Sequence, residues 1–85
     1  MFYVYLLKSK LDNSNYIGFA PDLKARLLKH NQGLVQSTKN LRPLDLVYFE
    51  GYKSKEDALT REKRLKQFAK GYSSLKRRII NSLML

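Results

Sequence analysis

Cysteine is missing from this 85-residue chain, and histidine occurs only once. The first absence excludes disulfides and thiolate catalysis, and the two together leave no ordinary tetrahedral zinc site to assemble. Any metal must then be held by oxygen. Long apolar runs are missing too. The N-terminal stretch from Phe2 to Leu7 is short and has no basic segment before it, unlike a secretory signal. No stretch approaches the ~20 apolar residues of a membrane span. A cytoplasmic protein is expected, because a reducing compartment suits a chain without cysteine. Acidic residues are scarce: seven Asp and Glu stand against 17 Lys and Arg, for a net charge of +10. A charge so biased to one sign repels itself, so a polyanionic partner is a better reading than solubility alone. The length suits one domain over residues 1–85, with roughly a third or more of its unfolded surface still exposed after folding.

The order of elements follows from short patterns. Phe2 to Lys8 is aromatic and branched, which predicts a strand. A turn cluster, Leu11 to Asn15, leads to a second strand from Asn15 to Phe19, so the pair reads as an antiparallel hairpin. Pro21 suits a first helical turn, Asp22 adds a carboxylate near that helix start, and Ala20 is a poor cap. The helix should end near Asn31, with Gly33 free to adopt a left-handed conformation. Leu34 to Pro43 reads as a polar, basic connection, and Leu44 to Tyr52 as a third strand. Ser54 caps a long helix that should run to about Lys70 and stop at Gly71, with Asp57 in a capping-box position. A last helix is expected from about Ser73 to Ser82. The fold class is therefore α+β: a three-stranded antiparallel sheet flanked by helices, in the order β-β-α-β-α-α.

Two places carry polar groups where apolar ones would be expected. Tyr16 to His30 runs from a strand through a Pro-containing turn into a helix with Arg26 and His30 one turn apart. Leu23, Leu27 and His30 fall within about 60° of one another on that helix, and Arg26 borders them, if each residue turns about 100°. On the long helix Glu62 lies inside the apolar stripe of Ala58, Leu65 and Ala69. An acid there needs a cation, a metal or several donors. A salt bridge to Arg26 or a nearby lysine is one reading. A hard divalent cation held by its oxygens is the other.

These residues, in this order, resemble the GIY-YIG nucleases, and among them the small members similar to the N-terminal nuclease domain of the excision-repair protein UvrC. Tyr3-Val4-Tyr5 stands at the first motif and Tyr16-Ile17-Gly18 is the second. Asp22-Leu23-x-x-Arg26, His30-Asn31-x-Gly33, Ser37-Thr38-Lys39, Arg42-Pro43, Leu46-Val47-Tyr48 and Ala58-Leu59-x-x-Glu62-Lys63 continue the pattern. The resemblance implies a DNA endonuclease of low sequence specificity with a single Mg2+ or Mn2+ ion, acting in repair or recombination. It makes Tyr5 and Tyr16 the paired tyrosines, Arg26 the cation at the scissile phosphate, His30 a proton-handling or phosphate contact, and Glu62 the metal ligand. Tyr5 or Tyr16 would serve as base, with Arg26 and the metal lowering its pKa. Gly18 and the basic residues Lys39, Arg42, Arg61, Lys63, Arg64 and Lys66, with Lys76, Arg77 and Arg78, would meet DNA along its phosphates. Two departures from the pattern stand out: Tyr3 replaces a glycine, and Phe19-Ala20 occupies a position that is often polar. The second keeps an alternative open, a non-catalytic nucleic-acid-binding module of the same fold.

Overall fold

A computed structural model describes residues 1–67 and 69–85. Strand β1 (Phe2–Ser9) lies in the middle of a three-stranded antiparallel sheet, between β2 (Asn15–Ala20) and β3 (Leu44–Tyr52). The expected fold class is the one found. At the hairpin between β1 and β2, Asn13 takes a positive φ of 64°. Asp12 Oδ1 accepts from the Ser14 amide at 2.9 Å, an Asx turn that fixes this corner. Buried Ser9 closes the loop, since its hydroxyl donates to the Leu41 carbonyl and accepts from the Leu11 amide.

Strand alternation divides the sheet into two faces. Val4, Leu6 and Ile17 point to one face, where Ala58, Leu65 and Leu75 cover them from helices α2 (Lys55–Gln67) and α3 (Ala69–Arg78). Leu83, from the short helix α4 (Ile80–Met84), packs against the same cluster. Tyr5, Leu7, Ala20 and Leu44 point to the other face, under Leu23 and Leu27 of α1 (Leu23–Asn31) and Leu41 of a single 3-10 turn. Burial of such side chains, at roughly 25 cal/mol per Å2 of apolar surface, is the main force holding both layers to the sheet.

Helix boundaries needed correction at two points. Asp22 is the N-cap of α1 and accepts from the Ala25 amide at 3.1 Å, so Pro21 precedes the helix rather than filling its first turn. Ala20 belongs to β2 and is buried. Nor does Gly71 stop the long helix: it lies inside α3, where a Cβ would meet nothing within 4 Å among the described residues. Among the described residues the C-terminal part is helical over Lys55–Gln67, Ala69–Arg78 and Ile80–Met84, and Ile79, beyond Arg78, caps the last of these. The side chain of Ala69, assigned to the apolar stripe from sequence, lies outside the described residues. Other boundaries hold: Ser54 Oγ accepts from the Asp57 amide at the start of α2, and Gly33 sits at φ 78° just beyond α1.

The connection before β3 is more ordered than its polar sequence implied. Val35 and Thr38 are buried within it, and Lys39 to Leu41 form the 3-10 turn. Asn31, at the end of α1, ties this corner to the sheet: its side chain donates to the Leu44 carbonyl and accepts from the Leu44 amide. Two backbone groups at the start of β3 are thereby satisfied by one side chain.

Candidate active site

The α1 face of the sheet carries the polar cluster. Tyr5 on β1 is paired with Gly18 on β2, and its ring lies over that glycine. A Cβ at position 18 would come within 2.3 Å of the Tyr5 ring and hydroxyl, so no other residue leaves room for the ring in this place. Gly18 is thus buried beneath a tyrosine. The ring of Tyr16 lies 6.5 Å from that of Tyr5, and both meet His30 edge-on at 5.2 and 5.7 Å. His30 arrives from the last turn of α1, on the stripe shared with Leu23 and Leu27. It is fully buried, with Nε2 2.8 Å from the Tyr5 hydroxyl and Nδ1 2.7 Å from the Thr38 hydroxyl. That placement leaves it no direct path to a phosphate.

Arg26, one turn before His30, lies beside Tyr5 and acts on both. Burial pushes the Tyr5 phenol above its ordinary pKa, more than the neighbouring Arg26 charge pulls it down, and the Tyr16 and Glu62 groups push it up further. The expectation of a lowered tyrosine pKa therefore fails for Tyr5 in the protein alone, because desolvation outweighs the guanidinium. Burial also holds His30 below its ordinary pKa, and the Arg26 charge adds to this, so the imidazole is neutral near pH 7. Arg26 itself has a buried Nε with no hydrogen-bond partner among the described residues. Buried donors in folded proteins almost always have a partner, so this one stands out.

Glu62, on α2, lies closely enough to the same cluster to act on Tyr5. Its side chain is only 19 % exposed and is paired with Lys66 Nζ at 3.2 Å, which meets the salt-bridge reading through a lysine, not through Arg26. Lys66 also stands 5.9 Å from the Tyr16 ring centre and so bridges the acid and the tyrosine. Beyond Arg26, a groove of about 230 Å3 runs past Phe19, Ala20, Asp22 and Lys29. Phe19 stacks on Phe2 and Ala20 is buried, so the departure from the polar pattern is occupied by packing, and Lys29 is the further cation in that groove.

The remaining basic residues divide. Lys39, Arg42, Lys63, Arg64 and Lys66 are exposed. Arg42 lies over Gly33, with its Nε donating to the Lys39 carbonyl at 2.8 Å. Arg61 is engaged elsewhere: it grips Glu50 with Nε and Nη2, each at 2.9 Å, while Tyr48 and Tyr52 donate to the same carboxylate. Sequence reasoning named Tyr5, Tyr16, Arg26, His30 and Glu62 together; it placed Thr38 only within the Ser37-Thr38-Lys39 motif, without a role, and missed Lys29 and the contacts of Lys66 with Glu62 and Tyr16. The spacing of Lys66, four residues after Glu62 on a helix, was the available signal for the last of these.

No three residues of His, Cys, Asp or Glu gather as metal ligands among the described residues. Glu62 offers one carboxylate with acceptor capacity beyond its single lysine contact. That fits a hard cation such as Mg2+, which keeps several waters and is bound through one or two carboxylates together with substrate phosphate. It does not fit a cation caged by protein alone.

The sheet and helices gather two tyrosines, an arginine and a histidine on one sheet face with a glutamate beside them, and the family comparison places the chain in a nuclease-type class. The family model for the GIY-YIG catalytic domain matches residues 1–78, and the chain belongs to that family. Its relatives include a UPF0213 protein of Staphylococcus saprophyticus, 44% identical over 69 residues, which are 80% of this chain and 83% of that one. A UPF0213 protein of Staphylococcus haemolyticus matches with the same identity and coverage. Among solved structures, the solution NMR structure of a UPF0213 protein from Bacillus halodurans aligns with a TM-score of 0.55 at 32% identity, over 88% of this chain and 81% of that one. No helix among the described residues is long and apolar enough to cross a membrane.

Proposed function

We propose that this protein is a metal-dependent endonuclease that hydrolyses DNA phosphodiester bonds with low sequence specificity. The observation that carries the reading is the buried, unpartnered Nε of Arg26, placed beside Tyr5 in a cluster that Glu62 also reaches. Arg26 is half-buried, and the planar fork of its guanidinium suits two oxygens of one phosphate. Hydrolysis breaks a phosphorus–oxygen ester bond as water bonds to phosphorus, so negative charge grows on the phosphate and on the leaving oxygen. Arg26 neutralises the first, with Lys29 in the adjoining groove. A Mg2+ or Mn2+ ion held jointly by Glu62 and the substrate would supply the charge needed at the leaving oxygen. One tyrosine first gives up its phenol proton to solvent, and the tyrosinate oxygen then takes the proton of the attacking water; Tyr5 needs hydrogen-bond help to reach that form because burial favours its phenol.

The net charge of +10, spread over many side chains, supports DNA as the partner through backbone contacts that carry no sequence information. Lys39, Arg42, Lys63 and Arg64 are exposed for that role, whereas Arg61 is held by Glu50. Repair or recombination of DNA, in the cytoplasm, is the setting that the UvrC-like motif set supports. A second reading, a binding module without catalysis, draws on the Glu62–Lys66 pair, which gives the acid a partner without a metal. Plasmid DNA incubated with the purified protein separates the two. The nuclease reading expects nicking that requires Mg2+ or Mn2+, stops with a chelator and weakens steeply with salt; binding with no cleavage under any divalent cation would leave the module.

A further inference from the structure

Thr38 is as deeply buried as any residue in the protein, and its hydroxyl touches the imidazole that touches Tyr5. The three groups form a line: Thr38 Oγ1, His30 Nδ1 at 2.7 Å, then His30 Nε2 and the Tyr5 hydroxyl at 2.8 Å. Both ends are hydroxyls, which donate and accept with equal ease. A neutral imidazole has one N–H, so two arrangements satisfy the line. In the first, Tyr5 donates to Nε2 and Nδ1–H donates to Thr38. In the second, Thr38 donates to Nδ1 and Nε2–H donates to the Tyr5 oxygen.

The arrangements differ in where the spare proton goes. With Nδ1 protonated, the Thr38 proton is spare, and Thr38 is 0% exposed with no second hydrogen-bond partner among the described residues. A sealed donor without an acceptor is strongly disfavoured. With Nε2 protonated, the spare proton belongs to Tyr5, which is buried as well but has the oxygens of Tyr16 and Glu62, both able to accept, within electrostatic reach of its hydroxyl. We propose that Thr38 is a positioning residue: its hydroxyl donates to His30 Nδ1 and fixes the Nε2–H tautomer, so that His30 acts as a hydrogen-bond donor to the Tyr5 oxygen.

The consequence for the reaction rests on the nuclease reading above. An oxygen that accepts from Nε2–H is stabilised when it loses its proton, which offsets part of the burial that favours the phenol. His30 then takes no proton from Tyr5. The phenol proton leaves to solvent, Nε2–H stabilises the tyrosinate oxygen that remains, and that oxygen accepts the proton of the attacking water; Thr38 holds His30 in the form that does so. The arrangement has the logic of a metal-bound or catalytic histidine whose far nitrogen is held by an outer partner.

Because His30 is the one histidine in the chain, long-range 1H–15N correlation spectra read its tautomer without assignment ambiguity. Slightly above neutral pH, wild-type protein without DNA should show a pyridine-like Nδ1 and a pyrrole-like Nε2; the reverse pattern overturns the proposal. Thr38→Val should move both nitrogens toward averaged shifts, and Thr38→Ser should restore the wild-type pattern. In plasmid cleavage, Thr38→Val should lower kcat on the order of tenfold to a hundredfold with KM little changed, and Thr38→Ser should recover most of it. Unchanged kcat in a folded Thr38→Val protein refutes the positioning role. Should Thr38→Val fail to fold, the wild-type spectrum and Thr38→Ser decide. If wild-type protein cleaves no DNA, the nuclease reading falls, while the tautomer is still read directly from the spectrum.

Discussion

Two polar clusters flank helix α2, and they are built to different standards of completeness. On the β3 side, Glu50 accepts a two-pronged contact from Arg61 and hydroxyl donations from Tyr48 and Tyr52. Burial raises the Glu50 carboxyl, but those donors together bring it below its ordinary pKa. The partners shift in turn: Tyr52 is pushed up to about 12 by its own burial and by the carboxylate it serves, and the contact with Glu50 raises Arg61. On the β2 side, Glu62 has one lysine at 3.2 Å, and Arg26 keeps a buried nitrogen without a partner among the described residues. A saturated network is best at holding two elements together. An unsaturated one beside it in the same small protein is the feature on which the proposed ligand site rests.

The contrast breaks most severely at Arg26. If the open cluster meets a phosphate in its transition state, Arg26→Ala should reduce kcat on the order of 10² to 10³ while DNA affinity changes little. Arg26→Lys should rescue poorly, since it keeps the charge without the fork. Cleavage rates and binding isotherms measured on the same preparations check this, and equal losses in both would make Arg26 an ordinary backbone contact.

A smaller effect is expected beneath the tyrosine. Gly18→Ala places a methyl within 2.3 Å of the Tyr5 ring, and since Tyr5 is wedged between His30 and the sheet it has little room to retreat. Overpacking of this kind destabilises by about 1–3 kcal/mol. For a chain this short each kcal/mol moves the melting temperature by roughly 4–8 °C. Thermal melting measures the loss, and an unshifted transition would show that Tyr5 moves aside freely.

The smallest effect is one of pH. His30 has its folded pKa below the ordinary 6.5, first through burial and then through Arg26. The unfolded chain therefore takes up a proton near pH 6.5 while the folded chain resists it. Stability is complete above that value and falls as the pH drops below it, until the folded imidazole is protonated as well. The carboxyls of Asp12 and Glu50, both shifted down, act at pH values below this window. Melting temperatures between about pH 7 and pH 5 should decline in wild type and flatten in His30→Gln.

Much of this organisation was readable from the chain, and the reasons differ by element. The three strands and the gathering of Tyr5, Tyr16, Arg26, His30 and Glu62 follow from alternation, from i and i+4 spacing and from the motif set. Thr38 was invisible as a partner of His30, because a threonine in a polar connection carries no periodic signal and its burial depends on how the 3-10 turn folds over α1. Gly71 misled for a related reason. Glycine is weak in a helix but not forbidden, and α3 keeps its helical geometry through it. The raised pKa of Tyr5 was also beyond the sequence, since it depends on depth of burial weighed against one charge. Arg61 looked like a free cation among several, and only the fold brings Glu50 to meet it.

The central claim is that the saturated cluster builds the fold and the open one performs the chemistry, and a pair of isosteric substitutions tests it most directly. Glu62→Gln and Glu50→Gln each remove one negative charge from an acid on either side of α2, and both proteins are assayed for Mg2+-dependent plasmid cleavage and for thermal melting. Glu62→Gln should abolish cleavage and leave the melting temperature nearly unchanged. Glu50→Gln weakens charge-assisted hydrogen bonds worth about 2 kcal/mol, so it should lower the melting temperature by roughly 10 °C and still cleave DNA below its transition. Cleavage that survives Glu62→Gln intact, or is lost in a folded Glu50→Gln protein, would contradict that division of labour.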